Sequence, residues 1–186
     1  DWKEISAFKG LVFETGPNRF PDTLPKDKFP IAPSIYEADW VLNAGPDSPS
    51  DTLINYKNVL EIAKKRNLPM LCANPDKIVF HGSDKHLCAG GIAEYYESIG
   101  GYNLSIGKPY PAVFDRCINM ATNTQKKETV MIGDNLETDI LGANNIGLQS
   151  LFVASGVHKL TNKYKNNIYH DRLRDSQKKF GANPTY

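Results

Sequence analysis

Three features of the sequence predict an α/β fold. Short β-rich runs alternate with segments of helical period, the strands are nearly continuous apolar runs, and turn residues close most of the junctions. Strands without in-and-out alternation are the pattern of parallel sheets covered on both faces. Composition agrees: 186 residues, 40% hydrophobic and 23% charged, leave room for one large domain or two small ones and are too apolar for a disordered chain.

The elements follow in order. Leu11-Val12-Phe13 predicts a strand stopped by Gly16-Pro17, and residues 17 to 35, rich in Pro and Asp, have no usable period and are assigned to loop. Ala38 to Leu42 is the next strand. Asp51 is expected to cap a helix whose apolar positions Leu53, Tyr56, Val59, Leu60 and Ala63 are helically spaced, with basic Lys64-Lys65-Arg66 at its end. Pro69 to Ala73 is a third strand running into Asn74-Pro75-Asp76. A helix from about His86 to Ile99 is closed by Gly100-Gly101. Leu104-Ser105-Ile106 is a fourth strand ending in Gly107-Lys108-Pro109, and Pro111 opens a helix with Val113, Phe114, Cys117 and Ile118 on one face. Thr129 to Ile132 is a strand ending on Gly133-Asp134. A helix from Leu136 to about Asn145 leads through Gly147 to the strand from Gln149 to Val153. The tail carries a helix with Tyr169, Leu173 and Phe180 on one side, and a boundary is expected near residues 102 to 107.

Charge and cysteine usage exclude several classes. Lys+Arg 22 against Asp+Glu 21 leaves a net charge of +1, so no global field draws the chain to nucleic acid or an acidic membrane surface. No apolar run approaches the roughly 20 residues of a membrane span. Three cysteines, Cys72, Cys88 and Cys117, lie in apolar surroundings, which favours buried, reduced thiols and a cytoplasmic protein.

Ligands of open α/β sheets sit beyond the carboxyl ends of the strands, and two junctions there carry chemistry. In Gly133-Asp134-Asn135-Leu136-Glu137-Thr138-Asp139 a strand delivers Asp134 to the sheet edge and Asp139 follows in the first helical turn. Two such close carboxylates repel, and a shared Mg²⁺ would keep both ionised; a plain preference of acids for a helix N-terminus is the alternative. In Gly107-Lys108-Pro109 a lysine stands in a stiff setting suited to a phosphate oxygen or a carboxylate, against the alternative of an exposed surface lysine. One helix and one strand separate Lys108 from Asp134, and a right-handed crossover would set the two strand ends side by side.

Gly107-Lys108-Pro109 followed by Gly133-Asp134 and Asp139 resembles two motifs of the haloacid dehalogenase superfamily of phosphohydrolases. Ala73-Asn74-Pro75-Asp76, Ala89-Gly90-Gly91 and Ser155-Gly156-Val157-His158 narrow the resemblance to subfamily IIA, the nitrophenylphosphatase-like and sugar- or nucleotide-phosphate phosphatases. It implies a Rossmann-like parallel-sheet core with an α/β cap, here a cap over residues 1–105 and the C-terminal half of the core over 106–186. It also implies a Mg²⁺-dependent phosphomonoester hydrolase working through an aspartyl-phosphate on a small phosphorylated metabolite. In that family an aspartate ending the first core strand attacks phosphorus and a second, two residues on, protonates the leaving oxygen. By matching motifs, Lys108 contacts nucleophile and phosphate, Asp134 binds Mg²⁺, and Asp139 acts behind it or through water. Cap-mediated homodimers are expected from the same source.

The expected Asp-x-Asp-Gly run is absent from the sequence; Asp22, Asp47 and Asp51 lack its context. These residues alone are therefore expected to be inactive without a nucleophile supplied from elsewhere. Asn74, Asp76 and His81 follow a cap strand, where the family presents substrate-selecting groups; Asn-Pro-Asp is equally a routine turn, and a loop histidine is commonly solvated. Two other classes stay open. A phosphoacceptor signalling domain also combines acids with Lys-Pro, although there the lysine follows the acids in the chain. A non-catalytic binding or assembly module would dispense with the nucleophile altogether.

Overall fold

The computed structural model describes residues 5–16, 24–25, 27–121, 125–158 and 167–186, the side chains of 167–172 excepted. The chain is mixed α/β with parallel sheets, as the sequence predicts, and divides into two units, Asp1–Ile106 and Gly107–Tyr186.

In the first unit four parallel strands stand in the order β1 (Val12–Thr15), β2 (Trp40–Asn43), β3 (Met70–Cys72) and β6 (Asn103–Ser105). Consecutive side chains leave opposite faces of a strand, so β2 feeds two cores. Val41, with Met70 and Cys72, packs under Tyr56, Leu60, Ala63, Ile92, Ala93 and Tyr96 of helices α1 (Ile54–Lys65) and α2 (Ala89–Ser98). Trp40 and Leu42 turn the other way with Val12 and Leu71, and Phe8 and Phe29 lie against the indole at ring-centroid distances of 4.9 and 5.8 Å. Each such side chain removed from water contributes about 1.5–3 kcal/mol, which is why these short strands hold.

The helix ends explain the boundaries. Asn67, at φ 55°, terminates α1, with Leu68 N–H returning to Ala63 C=O and Asn67 N–H to Lys64 C=O. Gly100, at φ 84°, does the same for α2, with Gly101 N–H bonded to Tyr96 C=O and Gly100 N–H to Glu97 C=O. Both arrangements satisfy carbonyls that the last helical turn leaves open. Asp51 does not cap α1. The residue at that position is Leu53, while the Asp51 carboxylate accepts from Ser48 N–H at 3.0 Å and Tyr56 O–H at 2.7 Å, closing its own loop.

One expectation fails here. The segment before α2 is a hairpin, β4 (Ile78–His81) and β5 (Asp84–Leu87), so His86 lies in a strand and α2 starts three residues later than expected. Gly82-Ser83, with Gly82 at φ 63°, was the readable signal for a two-residue hairpin turn. Strand β6 pairs with β3 at the end of the four-stranded sheet.

The second unit opens with α3 (Pro111–Met120), Pro111 occupying the first turn. Its Phe114, with Val113 and Ile118 beside it, packs on Met131, Ala143 and Leu148. Strands β7 (Val130–Gly133) and β8 (Gln149–Phe152) pair in parallel, separated in sequence by a π turn over Leu136–Ile140 and the short helix α4 (Leu141–Asn145). After α5 (Asn167–Phe180) the chain returns along β8, Phe152 N–H donating to Tyr186 C=O and Tyr186 N–H to Ser150 C=O, each at 2.9 Å. Leu173 and Phe180 join Leu136, Ile140 and Ala182 in a second cluster, as the predicted face of this helix requires, whereas the side chains of Tyr169 and Asp171 lie outside the described residues. So does Asp22. The three cysteines are free thiols; Cys72 is buried and Cys88 half-buried, but Cys117 is exposed, against the expectation that all three are interior. Among the described residues no helix is long and apolar enough to cross a membrane.

Candidate active site

The chemistry-bearing residues of the second unit converge on the loop after β7. Gly107, at φ 127°, turns the chain into Lys108, and the lysine reaches Asp139 with Nζ donating to Oδ1 at 2.6 Å. The lysine side chain is 37% exposed and the aspartate 4%. Oδ2 of Asp139 accepts from the backbone N–H of Asp134 at 3.1 Å and of Asn135 at 3.2 Å. The π turn is what makes this reach possible. With Ile140 N–H bonding back to Asn135 C=O, the first turn is wider than an α turn, and Asp139 folds back over the loop.

The start of a helix leaves its first amides without intrahelical partners. Here four consecutive ones are all accounted for. Asp139 takes those of Asp134 and Asn135, Nε2 of His158 accepts that of Leu136 at 3.1 Å, and the side-chain oxygen of Asn135 accepts that of Glu137 at 2.9 Å. These four amides are therefore taken, and the cationic side chain beside them is that of Lys108.

Asp134 is held differently. Val157 N–H donates to its Oδ2 at 2.9 Å, and among the described residues no hydrogen bond reaches Oδ1. Glycines make room for both acids. A Cβ on Gly133 would collide with the Asp139 carboxylate, and one on Gly156 with that of Asp134. His158 must carry its proton on Nδ1, because Nε2 accepts. Burial pulls its pKa below the usual imidazole range, against the opposing pull of Asp134 and Glu137.

This geometry corrects one expectation. Asp134 and Asp139 do not present a matched pair of open carboxylates for a shared cation; Asp139 is neutralised by Lys108 and saturated by amides. A hard divalent ion such as Mg²⁺ commonly uses only one or two carboxylates and keeps water and substrate oxygens for the rest. Asp134, with one oxygen anchored and the other open, fits that donor chemistry. Among the described residues no group of three or more His, Cys, Asp or Glu side chains forms a closed metal cage.

Asn74, Asp76 and His81 belong to the first unit. Asn74 is exposed and its side-chain oxygen accepts from Asp76 N–H at 3.0 Å, the local turn that Asn-Pro-Asp favours. Asp76 C=O accepts from Gly90 N–H at 3.0 Å, and a Cβ on Gly90 would strike the Pro75 carbonyl, so the glycine of Ala89-Gly90-Gly91 serves the close approach of this loop to α2. His81 ends β4 rather than lying in a loop, its ring 5.1 Å from that of His86, which is bonded through Nδ1 to Pro49 C=O at 2.7 Å. Val157 and His158 belong to the Ser155–His158 signature, whose place just beyond a strand end is the sequence signal for the contacts they make with the Asp134 loop.

A lysine and two acids are thus gathered at a strand end of a parallel-sheet fold, and comparisons with known proteins point to haloacid dehalogenase-like hydrolases. Residues 105–176 match the HAD-hydrolase-like family. Over 91 residues the chain is 35% identical to the ribonucleotide monophosphatase NagD of Escherichia coli, taking in 48% of this chain and 35% of that one. A haloacid dehalogenase-like hydrolase of Brucella suis superposes with a TM-score of 0.72 at 30% identity, over 80% of this chain and 59% of that one. A possible sugar phosphatase of Cytophaga hutchinsonii gives 0.73 at 27% identity, over 99% and 66%. Residues 105–176 are thus haloacid dehalogenase-like, and the chain is similar to phosphatases of that superfamily, in keeping with the resemblance to subfamily IIA. It spans about a third of the length of the E. coli relative and under two thirds of the Brucella one.

Proposed function

We propose that this protein hydrolyses phosphomonoesters of small metabolites with the help of Mg²⁺, and that Gly107–Tyr186, as the C-terminal half of the catalytic core, contributes Lys108 and Asp134 to the site. Asp1–Ile106 is the cap in this reading. The observation that carries it is the division of labour between the acids: Asp139 holds Lys108 at 2.6 Å while Asp134 keeps an open oxygen beside it.

Asp134 would hold the metal through Oδ1, and the bound ion would supply a Lewis acid that draws charge from the phosphoryl oxygens. Lys108, oriented by a buried carboxylate, binds a phosphoryl oxygen at its exposed end and stabilises the negative charge that builds there in the transition state. Asp139 stays ionised and fixes both the ammonium and the backbone of the Asp134 loop. The attacking carboxylate, an aspartate at a strand end in the family, comes from a segment other than these 186 residues. The surface around β7 supports that. Val130 and Ile132 are 42% and 64% exposed, Leu151 and Val153 of the neighbouring strand and its end are exposed beside them, and the outer edge of β7 pairs with no described residue. A two-stranded parallel sheet with a bare apolar face is not a stable end state, and a further strand there would deliver its terminal residue beside Asp134. Asn74, Asp76 and His81 are assigned to substrate selection from the cap.

The test is a screen of the full-length protein against phosphate esters, an aryl phosphate included, with Mg²⁺ or with chelator. Metal-dependent release of phosphate, lost in Asp134→Asn and lowered about 10²–10³-fold in Lys108→Ala, is the expected result. Unchanged turnover in Asp134→Asn would remove the metal assignment.

A further inference from the structure

We infer that His158 is a positioning residue for Asp134, fixing the direction of its open Oδ1 toward a divalent cation; this rests on the reading of Asp134 as the metal acid. The segment Gly156-Val157-His158 grips the Asp134 loop at two points. Val157 N–H holds Oδ2 of Asp134 at 2.9 Å, and Nε2 of His158 accepts from Leu136 N–H, two residues further on, at 3.1 Å. Gly156 lets this segment approach, since any Cβ there would occupy the space of the Asp134 carboxylate. Of the acceptors that satisfy these four amides, only the imidazole comes from outside the loop and its helix, so it ties the loop backbone to the segment after β8.

The ring is itself held. Phe152 at the end of β8 and Phe180 at the end of α5 lie at centroid distances of 5.9 and 5.6 Å, each tilted by 57°. An imidazole so flanked keeps its Nε2 aimed at the loop. Leu136 is fully buried, so its amide has no water to turn to if the acceptor is lost. The loop must then rotate to satisfy it, carrying Asp134 along. Groups that orient a metal-binding side chain without touching the ion set metal affinity, commonly by 10- to 100-fold.

The test uses the full-length protein and reads Mn²⁺ binding by electron paramagnetic resonance, together with the rise in melting temperature on adding Mg²⁺. His158→Phe keeps an aromatic ring between the two phenylalanines but removes the acceptor, and is expected to weaken Mn²⁺ binding about tenfold or more. His158→Gln places an amide oxygen near the position of Nε2 and is expected to bind within about threefold of the parent. Should His158→Phe not fold, His158→Asn, whose shorter side chain falls short of the Leu136 amide, takes its place with the same expectation. Parent-like Mn²⁺ affinity in the variant without an acceptor, or affinity in His158→Gln as weak as in His158→Phe, overturns the inference. Unaltered binding in Asp134→Asn instead overturns the metal reading on which it stands, and the two failures are told apart by which variant fails.

Discussion

Lys108 and Asp139 are 31 residues apart in sequence and 2.6 Å apart in space, the lysine half-exposed and the aspartate almost wholly buried. That asymmetry gives the two acids of the loop different tasks. Asp139→Asn removes the charge that Lys108 neutralises and turns an NH₂ group toward existing donors. It is expected to cost about 2 kcal/mol of stability, read from the denaturant midpoint. Asp134→Asn keeps an oxygen for Val157 N–H and is expected to change stability by less than about 1 kcal/mol. Equal losses in the two variants would contradict the division.

Gly133→Ala tests the closeness of that packing. The new methyl group meets the Asp139 carboxylate, which is clamped on both oxygens and has nowhere to move. A loss of about 1–3 kcal/mol is expected in thermal or denaturant unfolding. A neutral result would mean that Asp139 can relax away from the loop.

In the first unit Asn43 is a fully buried polar group. Its amide nitrogen donates to Ala89 C=O at 2.8 Å and its oxygen accepts from Thr15 O–H at 3.1 Å, tying the ends of β1 and β2 to the first turn of α2. Asn43→Ala strands both partners and leaves a small void, with an expected cost of about 2–3 kcal/mol. Chemical denaturation of the variant checks it, a shift below measurement error being the adverse outcome.

Burial pushes the Cys72 thiol from 9.0 up to about 11. Thiolate is the reactive form, and at pH 8 it amounts to roughly one part in a thousand at such a site. Iodoacetamide is expected to label exposed Cys117 in the native protein and Cys72 only after unfolding, as peptide mapping would show. The raised value also sets a sign. The unfolded chain releases this proton first, so its contribution to stability is complete below pH 9 and is lost as pH rises toward 11. Labelling of Cys72 at the rate of Cys117 under native conditions would refute the burial.

Much of this was legible in the sequence for local reasons. Helices α1, α2 and α3 follow from apolar spacing, Pro111 and Gly100-Gly101, because the bonds that start and stop a helix join residues three to five apart. The hairpin from Ile78 to Leu87 was missed because its apolar alternation is short and ends in polar residues, which hid the Gly82-Ser83 turn. The π turn at Leu136–Ile140 was unreadable for another reason. It goes with contacts from Asp139 to the distant Lys108 and to the Asp134 and Asn135 amides, whereas the local pattern is that of an α-helix.

By itself, then, the sequence determined the α/β class, the order of most elements and the motifs that place Lys108, Asp134 and Asp139 at strand ends, since these depend on periodicity and turn chemistry within a few residues. Tertiary structure alone decided which carboxylate is saturated and which is open, that β6 joins β3, and that His158 takes the Leu136 amide of the Asp134 loop. Those outcomes depend on burial and on donors and acceptors drawn from segments 22 to 33 residues apart, where a charge or an amide takes whichever partner the packed chain brings within about 3 Å.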